Sequence, residues 1–165
     1  MRKLRFGILL CCALMATPAD ASCTASASRS WVSGLTIDAF AQGPTCAQAV
    51  GVISIRKKSG EAVWVQSYIT ANVMNFTQPA ATNSKILTAT LKDWISGNGF
   101  MKSADKLVEG GEFPFNKNDD AQSFAKFRKS KAPLFCYIQG MESGNCLTVD
   151  KDGAVVELGV QSFPG

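Results

Sequence analysis

Residues 134–160, LFCYIQGMESGNCLTVDKDGAVVELGV, decide the fold. Three apolar runs, LFCYIQG, NCLTVD and AVVELGV, are separated by Met141-Glu142-Ser143-Gly144 and by Lys151-Asp152-Gly153. Both interruptions have the composition of tight turns. The stretch therefore predicts a three-strand antiparallel meander. A first hairpin centred near Met141 sets Cys136 opposite Cys146. Facing Cβ atoms about 4.5–5.5 Å apart across neighbouring strands accommodate a disulfide, so the register itself predicts a Cys136–Cys146 bridge.

The second expected bridge follows from the rest of the cysteine count. The chain of 165 residues has six cysteines. Cys11 and Cys12 lie in residues 1–21, where Arg2, Lys3 and Arg5 precede the apolar run FGILLCCALMA and Ala19-Asp20-Ala21 closes it. A charged start, an apolar middle and an A-x-A end form a secretory signal peptide, too short for a membrane span of about 20 residues. Its cleavage leaves Cys23, Cys46, Cys136 and Cys146, an even number in an oxidising periplasmic or extracellular compartment. Cys23–Cys46 is then the remaining pair. The competing reading of Cys23, acylation as in a lipoprotein, lacks the Leu that such a site carries three residues before its cysteine.

Working outward from the meander, the remaining elements predict a single α+β domain over 22–165. Residues 22–34, small and polar around Trp31, read as an arm tied down by Cys23. LTIDAF alternates as a strand, and AVGVISIRKK and EAVWVQSY read as a hairpin around Lys58-Ser59-Gly60. With the turn centred on Ser59, Ile53 faces Val65 and Ile55 faces Val63 on the core side, and Val52, Ser54, Trp64 and Gln66 fall on the other. The period then changes. Thr82-Asn83-Ser84 offers caps, KILTATLKDWIS puts Leu87, Leu91, Trp94 and Ile95 on one stripe, and Gly97 stops the helix. Residues 97–117 read as irregular. Asn118-Asp119-Asp120 caps a second helix, AQSFAKFRKSK, with Ala121, Phe124 and Phe127 on one side and Pro133 beyond its end. The expected architecture is one antiparallel sheet, an N-terminal hairpin plus the C-terminal meander, with two helices packed on it.

Composition narrows the chemistry. Histidine is absent, which removes the commonest general base, the usual zinc ligand and the Ser-His and Cys-His nucleophile pairs. No metal set or cofactor motif is expected, because the cysteines have no C-x-x-C spacing and no glycine-rich phosphate loop occurs. Two S-x-x-K tetrapeptides, Ser103–Lys106 and Ser123–Lys126, lack the S-D-N and K-T-G partners that this motif works with in serine acyltransferases. Asp150-Lys151-Asp152-Gly153 begins like a calcium loop but carries two carboxylates before the glycine rather than three ligands, so a hairpin turn is expected. Glu112, Asp119 and Asp120 could form a carboxylate pair for sugar hydrolysis, although Asp119 and Asp120 sit where a helix start favours negative charge. Asn75-Phe76-Thr77 matches the N-glycosylation pattern. The Phe113-Pro114-Phe115 triplet, with its proline fixing an extended chain, is a candidate groove wall.

Charge gives one candidate interaction patch. Loss of residues 1–21 lowers the net charge from +4 to +2, too little to imply nucleic acid. Arg56, Lys57 and Lys58 cluster at the hairpin tip, and Lys126, Arg128, Lys129 and Lys131 at the end of the second helix, where cations suit the helix dipole. Together they could meet an anionic lipid headgroup or acidic glycan. The reading that results is an exported, non-catalytic domain that binds or inhibits an envelope or extracellular protein or glycan, or serves as an envelope accessory protein, without spanning a membrane. The alternative is a small histidine-free hydrolase using carboxylate or serine–lysine chemistry.

Overall fold

The computed structural model describes residues 22–77, 79–98, 100–118 and 121–163, so the expected signal peptide, Asp119 and Asp120 lie outside the described residues. Among the described residues the protein is an α+β domain with two antiparallel four-stranded sheets, three α-helices and two disulfides, Cys23–Cys46 and Cys136–Cys146. The first sheet is a meander of β1 (Cys23–Ser30), β2 (Thr36–Gly43), β3 (Val50–Arg56) and β4 (Ala62–Ile69) in that order. After a one-turn helix α1 (Met74–Thr77) comes α2 (Ser84–Ser96). The second sheet has the order β5-β8-β7-β6, from β5 (Phe115–Lys117), β6 (Phe135–Ile138), β7 (Ser143–Val149) and β8 (Val155–Ser162). Between β5 and β6 lies α3 (Ala121–Lys129). The strands thus divide between two sheets where a single one was expected.

Helix α2 follows its sequence pattern closely. The Asn83 side chain accepts a hydrogen bond from the Ile86 amide, Leu87, Leu91, Trp94 and Ile95 are all buried, and Gly97 ends the helix at φ 65°. That left-handed conformation is cheap only without a Cβ. The helix crosses β1 and β2, whose inward positions include Ala25, Ala27, Ala39 and Ala41. Methyl-sized side chains leave room for a helix to lie close to the sheet. Residues 23–30 are therefore a strand, not an arm. Their alternation of alanine with serine and threonine has the strand period but little apolar contrast.

The β3–β4 register corrects the expected one. Arg56 pairs with Ala62, as a turn centred on Ser59 requires, but Ile55 pairs with Trp64 and Ile53 with Gln66. An extra residue, Val63, is bulged out between the two pairs. Because side chains alternate, one extra residue exchanges the faces. Trp64 turns inward and Val65 outward, opposite to the expectation; Tyr68 also turns inward, and Val63 packs against the core as expected.

The second sheet separates two cores. Phe135, Tyr137 and Leu147 point into the first, with the inner face of the first sheet and α2. Cys136, Cys146 and Leu158 point into the second, with Phe115, Phe124, Ala104 and Leu107. In the β6–β7 hairpin Cys136 pairs with Cys146 and Tyr137 with Asn145, the register read from the sequence. The β7–β8 turn is closed by the Asp150 carboxylate, which accepts from the amides of Asp152 and Ala154.

Candidate functional site

The second core opens into a cavity of about 320 Å³ lined by Phe100, Met101, Leu107, Phe113, Cys136, Cys146, Gln161 and Phe163. Each wall is held by local backbone structure. Pro114 accepts from the Ser162 amide at 3.1 Å and Phe115 donates to Val108 at 2.8 Å, so the Phe113-Pro114-Phe115 triplet is stitched to β8 on one side and to the preceding loop on the other. Phe115 stacks on Phe124 with ring centroids 5.6 Å apart, which leaves Phe113, 48% exposed, at the mouth. Phe100 packs on Phe163 at 5.6 Å and lies over Gly144, where a Cβ would come within 2.6 Å of its ring. The disulfide sulfurs and Leu107 contribute further apolar surface. Gln161, at 5% exposure, is the one polar side chain of the lining, and its amide nitrogen donates to the Phe113 carbonyl.

A polar cluster lies in the first core instead. Tyr68 and Tyr137 meet hydroxyl to hydroxyl at 2.6 Å, and the Asn145 amide donates to Tyr137 at 3.3 Å. Trp64, Trp94 and Phe135 surround the pair edge-on or stacked. Burial pushes Tyr68 up to about 12, and pushes Tyr137 further in the same direction. Neutral phenols that hold their protons this tightly are hydrogen-bonding groups of the core, not bases.

The other residues singled out in the sequence are dispersed. Arg56 is paired with Asp38 at 2.7 Å and Lys57 with Glu61 at 2.9 Å, so carboxylates already meet two cations of the hairpin tip. Lys57 and Lys126 flank opposite sides of the β7–β8 turn, each in a shallow groove that Asp152 also lines. Arg128 lies over the Phe124 ring at 5.9 Å, and Lys131 adopts φ 51° just beyond α3. The Ser103 hydroxyl donates to Asp105 at 2.6 Å, and Ser123 and Lys126 line the groove that Asp150 and Asp152 border. Glu112 is exposed. Asn75 donates its amide nitrogen, the atom that glycosylation uses, to Asp93 at 3.1 Å. Cys23 has its sulfur in the bridge to Cys46, which leaves no thiol to acylate. No group of three or more potential metal-ligating side chains occurs among the described residues, and no described helix is long and apolar enough to cross a membrane.

Comparison with family models, curated proteins and solved structures finds no match to the chain. The sequence marks Phe113 as a groove residue but gives no sign of Phe100, Met101, Leu107, Gln161 or Phe163. These come together only through the pairing of β5 with β8 and of β6 with β7. The one local signal is the outward-inward alternation of β8, which puts Gln161 on an inward position among apolar ones.

Proposed function

We propose that the chain is an exported, non-catalytic binding domain whose second core takes an apolar ligand, an acyl chain or a hydrophobic ring, through the cavity behind Phe113. The lining carries this reading: aromatic rings, Met101, Leu107 and a disulfide around one amide. A lining of that kind with a single orienting polar group suits a small apolar ligand, and the volume lies in the range of about 300–1,000 Å³ common for such sites. Gln161 would supply the one directional contact. No ionisable side chain lines the cavity, whereas hydrolysis needs convergent acid, base or nucleophile groups around the bound substrate. Two disulfides are consistent with an oxidising compartment.

The test is displacement of a fluorescent apolar probe, anilinonaphthalene sulfonate, by fatty acids of increasing length. Phe113→Ala truncates a half-exposed ring and should weaken binding roughly tenfold, equivalent to about 1.4 kcal/mol, with the melting temperature unchanged. Met101→Trp should fill the cavity and abolish binding. Probe affinity unchanged in both variants would overturn the reading.

A further inference from the structure

The four sheet edges of the described residues are treated differently. β1 carries α2 on its inner face and a charged residue, Arg29, turned over Phe135. β5 has three residues. β6 has four, and the segment before α3 runs beside its start, with Leu134 donating to Lys102 at 2.9 Å and Ser103 bridging Pro133. β4 has none of these protections beyond the Val63 bulge near its start. It is eight residues long, AVWVQSYI, without a charge or a proline, and Val65 and Ile69 are 55% and 60% exposed. Sheet edges in stable monomers are shortened, charged, kinked by proline or covered, because a bare edge templates another strand.

We propose that β4 is the interface of a homodimer, in which a second copy of this chain adds its own β4 antiparallel about a two-fold axis at Gln66. The strand's sequence fits itself in this register. Gln66 faces Gln66 of the partner subunit, amide to amide, and the pairing runs over Trp64–Tyr68, beyond the Val63 bulge. Trp64 faces the partner's Tyr68, and Val65 faces the partner's Ser67. The Trp64–Tyr68 pair sets aromatic against aromatic, a favourable cross-strand pair. Charge selects the orientation. Arg56, Lys57 and Lys58 crowd one end of the strand, which keeps a net positive charge after Asp38 and Glu61 pair with two of them, and Thr70-Ala71-Asn72, uncharged, follows the other. The antiparallel arrangement sets each basic tip against the partner's neutral end, whereas a parallel one would bring the two tips together. Next to β4, the outer face of the sheet carries the exposed Phe40 and Val50 and the partly exposed Val52, so the apolar surface extends inward from the proposed seam. The cavity proposed to bind ligand lies in the other core, and its occupancy and this pairing stand or fall separately.

Sedimentation velocity of the protein purified from an oxidising compartment should give twice the monomer mass, falling to the monomer mass on dilution. Val65→Lys should leave a folded monomer with an unchanged circular dichroism spectrum. Val108→Lys, at an equally exposed valine away from the sheet, should remain dimeric. Gln66→Cys should cross-link two chains under oxidation. A monomeric wild-type protein, or a dimer that survives Val65→Lys, overturns the proposal. A dimer that fails to cross-link through position 66 overturns the register on which it rests.

Discussion

Tyr68 and Tyr137 are the chain's two tyrosines, and both hydroxyls lie in the same hydrogen-bonded cluster. Tyrosinate absorbance therefore reports that cluster alone. Both phenols are raised above the ordinary value near 10, chiefly by burial. The unfolded chain loses these protons first as pH rises, so the stability they contribute is complete below about 10 and declines above it. For Tyr68 that decline runs up to about 12. The folded protein should show almost no tyrosinate at pH 11, while the protein in guanidinium titrates near pH 10. A native titration midpoint near 10 would show that the pair is solvated. Nothing local in the sequence marks these two residues as neighbours. They lie 69 positions apart, and Tyr68 reaches Tyr137 only because the Val63 bulge turns it inward. A single extra residue in one strand has no compositional signature, so the faces of β4 could not be read in advance.

At the scale of elements, legibility followed contrast. Helix α2 has leucines, a tryptophan and an isoleucine at 3.6-residue spacing against lysine and threonine, and its cap, stripe and stop all match. Leu91→Ala should therefore cost about 2–5 kcal/mol, since it empties a fully buried site. Lys92→Ala, one position on and exposed, should change stability by less than ~0.5 kcal/mol. Chemical denaturation compares the two, and equal losses would mean that the helix presents a different face to β1. The β6–β7 hairpin was legible for another reason: turn composition and the cysteine pair constrain the same register independently. β1 was not, because alanine and serine differ too little in hydropathy to show which face is buried. Nor was β5, three residues that become a strand only by pairing with β8 more than 40 positions later.

Across the whole molecule, the second sheet is the common wall of two cores, and this explains why the candidate site was the least legible part. Its lining comes from separate stretches around 100, 107, 113, 136, 146 and 161, each unremarkable alone. The α+β class and both disulfides needed only local patterns and counting. The cavity needed the full topology. The bridges also have a mechanical consequence. Cys23–Cys46 encloses all of β1 and β2, and Cys136–Cys146 encloses the connection between β6 and β7. A force applied between the two ends of the domain enters at Cys23 and crosses directly to Cys46, so the β1–β2 hairpin carries no tension. Together the loops withhold separations of 23 and 10 residues from stretching, on the order of 100 Å of contour at about 3.5 Å per residue. Single-molecule extension should lengthen by that amount when reductant is added. Equal extension in both conditions would mean that the thiols are not bridged. Pulled between its two ends, the domain would keep its first hairpin to the last.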